Sequence, residues 1–240
     1  MDPRSSIIDD RLESINRIIA VSSGKGGVGK SMVATTLALN LAQRGLKIGL
    51  FDLDFTSPST HLIMGVENVL PKEDKGLIPP IVNNLAYMSL VYYSGELATP
   101  LRGEDTSNAL IELLSVTKWG KLDFLIIDMP PGIGDAVLDL IKLIKKIEFL
   151  IITTSSQLAF HTVKKQIKLL NALKVKTIGL IENMKNTKIN LIQSESEKLG
   201  INFLGEVPFD KNLENSIGDS KKILKTDFYK TIKQIFIVFP

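Results

Sequence analysis

Residues 24 to 31 read Gly-Lys-Gly-Gly-Val-Gly-Lys-Ser, and no other stretch constrains this chain as much. Gly24, Gly29, Lys30 and Ser31 stand at the spacing of a phosphate-binding loop. An apolar, β-branched run, Arg17 to Ser22, precedes them, and a helix-like run from Met32 to Arg44 follows. A glycine-rich surface turn needs neither flank, whereas a strand–loop–helix unit needs both. Glycines let successive backbone N–H groups converge on phosphate oxygens, and the positive end of the helix dipole reinforces them. The spacing therefore predicts phosphate contacts along Gly24, Lys25, Gly26, Gly27, Val28 and Gly29. Lys30 would reach the β- and γ-phosphates and the Ser31 hydroxyl would ligate Mg²⁺.

The rest of the chain suits such a unit. Its 240 residues are enough for one sizeable domain, and 44% apolar with 23% charged residues is ordinary for a globular protein. A net charge of +3 is too mild to argue for nucleic acid or acidic lipid. The pairs Lys145-Lys146, Lys164-Lys165 and Lys221-Lys222 read as solvated helix faces. There is no cysteine, which excludes disulfides, thiolate metal sites and cysteine nucleophiles. The start lacks the apolar core of a signal peptide and no apolar run is long enough to span a bilayer, so a cytoplasmic setting is expected.

Apolar strand-like runs alternate with helical patterns, which predicts an α/β fold with a mostly parallel sheet and helices on both faces. Strands are expected at 17–22, 47–51, 85–90, 124–128, 149–154, 177–181 and 203–207. Helices are expected at 31–44, 106–119, 134–146, 158–173, 189–199 and 225–236. Residues 1–16 read as a lead-in or short helix to a single domain over 17–240, and the Pro- and Gly-bearing stretch 67–80 reads as loop. Open α/β sheets bind ligands at the carboxyl ends of their strands. There lie Asp52-Leu-Asp54-Phe-Thr-Ser57-Pro58-Ser59 and Asp128-Met-Pro130-Pro131-Gly132-Ile-Gly134-Asp135. A strand-ending Asp can also cap the next helix or turn, and for Asp52 and Asp135 both readings stay open.

With Lys25 added, Lys-Gly-Gly-Val-Gly-Lys-Ser resembles the deviant loop of the MinD/ParA superfamily of P-loop ATPases. The two aspartate segments resemble its switches, the second close to the Asp-x-Pro-Pro-Gly-Thr-Gly-Asp pattern of the Mrp/ApbC branch. The resemblance runs from about Arg17 through Gly205-Glu-Val-Pro208-Phe209-Asp210. It implies ATP hydrolysis with Mg²⁺ and a sandwich homodimer in which Lys25 reaches the partner's nucleotide. It assigns Asp128 to the metal through water, Asp54 to the metal and the attacking water, and Asp52 to support of the magnesium shell. Asn183, in Ile181-Glu-Asn-Met184, would pair with the adenine edge, while Pro208 and Asp210 belong to a segment packing over the base.

The branch is associated with iron–sulfur cluster transfer, and this chain departs from it in three places. Met32 replaces the usual Thr, removing a hydroxyl from the α-phosphate but keeping the N–H. Thr153-Thr154-Ser155-Ser156 stands for Thr-Thr-Pro-Gln. Lys185-Asn-Thr-Lys-Ile-Asn190 stands where a cluster-binding Cys-x-x-Cys should follow, and His61 and His161 make no substitute pair. A cysteine-bearing client is therefore the expected partner. Two alternatives of another class are a ParA-like DNA partitioner and a MinD-like membrane-positioning ATPase using the apolar tail 229–240, whose simpler reading is a helix packed on the sheet.

Overall fold

The computed structural model describes residues 4–90, 92, 104–187 and 190–237. It is an α/β sandwich. Helix α1 (Arg4–Glu13) leads into the central strand β1 (Ile15–Ser23), the glycine loop and α2 (Lys30–Gln43). Then come β2 (Ile48–Asp52), α3 (Thr60–Met64), the short strands β3 (Lys72–Glu73), β4 (Leu77–Ile78) and β5 (Ile81–Val82), and β6 (Leu85–Ser89). The second half runs α4 (Glu104–Val116), β7 (Leu122–Asp128), α5 (Asp135–Leu143), β8 (Ile147–Thr154), α6 (Gln157–Ala172) and β9 (Lys176–Lys185). It closes with α7 (Leu191–Lys198), β10 (Phe203–Pro208), a 3₁₀ turn (Glu214–Ser216), α8 (Ser220–Ile223) and α9 (Asp227–Ile235).

Eight strands form one sheet in the order β10-β9-β8-β1-β7-β2-β6-β5, and every pairing is parallel except β5 with β6. The pleat explains why the central strands read as unbroken apolar runs. Successive side chains point to opposite faces, and here both faces are covered. Ile18 and Ala20 of β1 enter one core with Leu125 and Ile127 of β7; Ile19 and Val21 enter the other with Phe124 and Ile126. Leu110 and Leu114 of α4, Val137 and Leu140 of α5, and Phe160 and Ile167 of α6 close the first core, joined by Ile8 and Leu12 of α1. Val33, Leu37 and Leu41 of α2 close the second, with Phe228 and Ile232 of α9. Each such side chain contributes about 1.5–3 kcal/mol of transfer from water, so the apolar stripe of each helix decides which face it covers.

Several segments differ from the sequence expectations, among them the short helices α3 and α8, which were not expected. The stretch 67–80 carries a small hairpin, β3 with β4, turning through Lys75 and Gly76 at φ 46° and 135°. Next to it, Asn83 and Asn84, at φ 51° and 64°, make the tight turn that pairs β5 with β6. Two adjacent residues at positive φ match the twist of a two-residue hairpin, and asparagine tolerates that conformation. Strand β9 runs on past Ile181 to Lys185, because Glu182 and Asn183 continue the ladder opposite Thr153 and Thr154. At the carboxyl end, Ile232 and Phe236 of the apolar tail are buried beside Phe228, so this part of the tail packs into the second core. Residues 238–240 of that tail lie outside the described residues. No described helix is long and apolar enough to cross a membrane.

Candidate functional site

The chain leaves β1 for β2, returns through β7 between them, and then places β8 on the other side of β1. This reversal opens a crevice at the carboxyl ends of β1, β7 and β2, where a doubly wound sheet binds its ligand. The glycine loop enters it directly after Ser23. Gly29 sits at φ 77°, a left-handed conformation that side chains resist, and its carbonyl starts α2 by accepting from Val33 N at 3.0 Å. Gly24 is required for a different reason. A Cβ there would lie 2.8 Å from Val163 N and 2.9 Å from Thr162 Cβ, so only glycine allows α6 to approach.

Lys30 points back under the loop. Its ammonium lies 2.5 Å from Asp128 Oδ1, 3.7 Å from Asp54 Oδ2 and 3.3 Å from Ser31 Oγ, and the residue is 6% exposed. Asp52 and Asp128 are register partners on β2 and β7, so the parallel pairing itself sets two carboxylates side by side. Burial pushes the Asp128 carboxyl up to about 7, opposed by the Lys30 charge and assisted by the Asp52 charge. Asp128 Oδ2 is buried with no hydrogen-bond partner among the described residues. Such an acceptor is costly to leave unsatisfied, and beside the Ser31 hydroxyl it suits a hydrated divalent cation.

The other carboxylates have separate work. Asp52 accepts from Asp54 N at 3.1 Å on Oδ1, and from Ser59 N at 3.2 Å, Thr60 N at 3.1 Å and Thr60 Oγ1 at 2.7 Å on Oδ2. It caps α3 and ties down the loop that carries Asp54. Burial raises its pKa, against the hydrogen bonds from Thr60 and the charge of Lys30. Asp54 is nearly buried, with Oδ1 accepting from Ser57 N at 3.2 Å. Asp135 is exposed at the first position of α5, where its charge favours the helix dipole. Lys25, Gly26 and Gly27 are exposed on the outer side of the loop, and the Lys25 backbone carbonyl accepts from Ser23 Oγ at 2.9 Å.

Residues 14–238 match the family described as ParA, NUBPL iron-transfer P-loop NTPase. The chain belongs to this family. An iron-sulfur cluster carrier protein from Saccharolobus solfataricus is 36% identical over 220 residues, covering 85% of this chain and 74% of its own. The protein of that name from Escherichia coli is 40% identical over 176 residues, covering 72% of this chain and 48% of its own. A nucleotide-binding protein from Archaeoglobus fulgidus, solved in complex with ADP, superposes with a TM-score of 0.79 at 30% identity over 98% of this chain and 97% of that one. The cell division ATPase MinD of Pyrococcus furiosus shares the fold, with a TM-score of 0.66 at 22% identity over 93% and 99%.

Within this iron-transfer NTPase family the chain is a member without a single cysteine. Lys185 opens the segment where the thiolates were expected. It is buried, and its ammonium lies 2.8 Å from Glu182 and 3.2 Å from Glu206. Ser155, in place of proline, donates to Glu182 Oε1 at 2.6 Å, and Ser156 caps α6 by accepting from Ala159 N. Residues 188 and 189 of the segment lie outside the described residues. Met32 is buried with Val28 in the second core.

The expected adenine residues are spread more widely. Asn183 is 2% exposed and its amide donates to Val28 O at 2.9 Å, so in this structure it serves the phosphate loop. Pro208 is exposed at the end of β10. Asp210 accepts from Asn212 N at 2.9 Å and Phe228 N at 3.2 Å, anchoring α9. Sequence reasoning passed over Thr60 and the Asn183–Val28 contact. A Ser-Thr pair opening a helix after Asp52 was the available signal for the first; the second needs β9 and the loop brought together and left none.

Proposed function

We propose that this chain binds ATP with Mg²⁺ and hydrolyses it slowly to ADP and phosphate, as a homodimeric switch in iron–sulfur cluster assembly or transfer. The observation that carries this reading is the buried Lys30, held between Asp128 and Asp54 at the head of α2. A buried ammonium that leans on carboxylates is poised to exchange them for β- and γ-phosphate oxygens. Loop N–H groups from Gly24 to Met32 would cradle the phosphates. Ser31 and Asp128 would hold Mg²⁺, with Asp54 nearby, and the ion would neutralise charge on the phosphates. Asp54 would orient the attacking water. Asn183, Pro208 and Asp210 would contact the base.

Lys25 is exposed beyond the loop, which suits a charge used across a dimer interface on the partner's nucleotide. The pathway rests on relatives named for iron–sulfur cluster carriage. Clusters are held by thiolates, so a cysteine-bearing client in the cytoplasm would carry the cluster while this chain supplies the nucleotide switch. Two variants test the engine. Lys30→Ala should weaken MgATP affinity at least about a hundredfold by calorimetry. Asp54→Ala should keep ATP bound yet slow single-turnover hydrolysis by about 10²-fold or more. Unchanged affinity in the first variant overturns the phosphate-loop reading. Unchanged hydrolysis in the second removes Asp54 as the group that orients water.

A further inference from the structure

The carboxylate of Asp52 does not meet Lys30 directly; it faces a buried chain of hydroxyls. Thr60 Oγ1 lies 2.7 Å from Asp52 Oδ2 and 2.8 Å from the Tyr87 hydroxyl. All three residues are buried, Tyr87 and Thr60 at 0% and Asp52 at 1% exposure. A hydroxyl has one proton and an ionised carboxylate only accepts, so Thr60 donates to Asp52 and Tyr87 donates to Thr60. Burial holds the Tyr87 phenol well above its ordinary value, so it remains a donor. Tyr87 sits on β6, whose register sets it opposite Leu50 of β2, two residues before Asp52. The sheet therefore fixes both ends of the relay.

Downstream, Asp52 holds the amides of Asp54, Ser59 and Thr60, and the Asp54 carboxylate in turn holds Ser57 N. Phe55 N donates to Leu53 O at 3.0 Å within the loop, and the side-chain restraints between Asp54 and α3 come from these two aspartates. Asp54 keeps its 3.7 Å approach to Lys30 only while that loop stays put.

We propose that Thr60 and Tyr87 are positioning residues, a rigid hydroxyl relay that holds Asp52 so that the loop presents Asp54 to the reacting phosphate. Neither touches the phosphate loop. This rests on the reading of Asp54 as the group that orients water. Small displacements of a catalytic group cost rate far more than binding, because binding is carried by the glycine loop and Lys30.

The test uses the full chain with Thr60→Val, which keeps shape and removes the hydroxyl, Thr60→Ser, which restores it, and Tyr87→Phe. Thr60→Val should lower kcat for ATP about tenfold while MgATP affinity stays within about twofold. Thr60→Ser should return kcat to the parent value. Tyr87→Phe should move kcat the same way by a smaller factor, and serves alone if Thr60→Val fails to fold. Hydrogen exchange of the Asp54, Ser59 and Thr60 amides should quicken in Thr60→Val and recover in Thr60→Ser. An unchanged kcat with unchanged exchange overturns the proposal, as does a loss that Thr60→Ser leaves in place, or affinity falling in step with kcat. If the parent hydrolyses no ATP, the functional reading fails separately. The three amides then decide the relay alone: faster exchange supports it and unchanged exchange overturns it.

Discussion

The side-chain nitrogen of Asn183 donates to Val28 O at 2.9 Å and lies 2.3 Å from where a Cβ on Gly29 would stand. The end of β9 thus presses on the phosphate loop at the residue that can least accept a side chain.

Gly29→Ala should therefore fail twice. Alanine at φ 77° costs about 1–2 kcal/mol of backbone strain, and its methyl must also displace Asn183. A melting experiment should show the nucleotide-free chain destabilised by about 1–3 kcal/mol. Calorimetry should show ATP affinity reduced at least about tenfold, because the loop amides no longer converge. Parent-like stability and affinity would mean the contact is dispensable.

Asp128 provides a pH test. Its carboxyl is pushed up to about 7 by burial, so below that pH the nucleotide-free fold favours the protonated form. That contribution to stability is full below the unfolded value near 4 and is lost as pH rises through about 7. A divalent cation needs the ionised form, so the gain in nucleotide affinity on adding Mg²⁺ should grow as pH rises from about 6 to about 8. Asp128→Asn should flatten that dependence. Titrations in paired buffers measure both, and an equal Mg²⁺ gain at all pH values in the parent would separate Asp128 from the metal.

Lys25→Ala tests the interface. The side chain is exposed and forms no part of the Lys30 cluster, so monomer nucleotide binding should change by less than about threefold. Light scattering in ATP, in the Asp54→Ala background, should show dimers for Lys25 and monomers for Lys25→Ala. Dimers of equal strength with and without Lys25 would refute a role across the interface.

The missing thiolates make the last prediction. Anaerobic treatment with iron and sulfide should leave no stable cluster absorbance on the purified chain, which has no cysteine to ligate iron. A stoichiometric, transferable cluster on this chain alone would overturn the division of labour with a cysteine-bearing client.

Elements that depend only on neighbours along the chain are legible in the residues themselves. The phosphate loop, its flanking strand and helix, the alternation that builds a parallel sheet, and Asp128 at a strand end are all local patterns of residue type and spacing. The turn at Asn83-Asn84 is equally local, two asparagines at positive φ between the apolar pairs Ile81-Val82 and Leu85-Ala86, and the sequence expectations did not include it. The surroundings of the site carboxylates, by contrast, come from long-range packing. Strand pairing set Asp52 beside Asp128 and carried Tyr87 to within reach of Thr60. Nothing in the spacing of residues 52, 60 and 87 encodes a hydroxyl relay, because the register of non-adjacent strands and the entry of α3 create it. The same holds for Asn183 and Val28, 155 positions apart, which meet because the sheet brings β9 and the loop to one end of the crevice. Local chemistry names the groups; burial and register decide which of them touch.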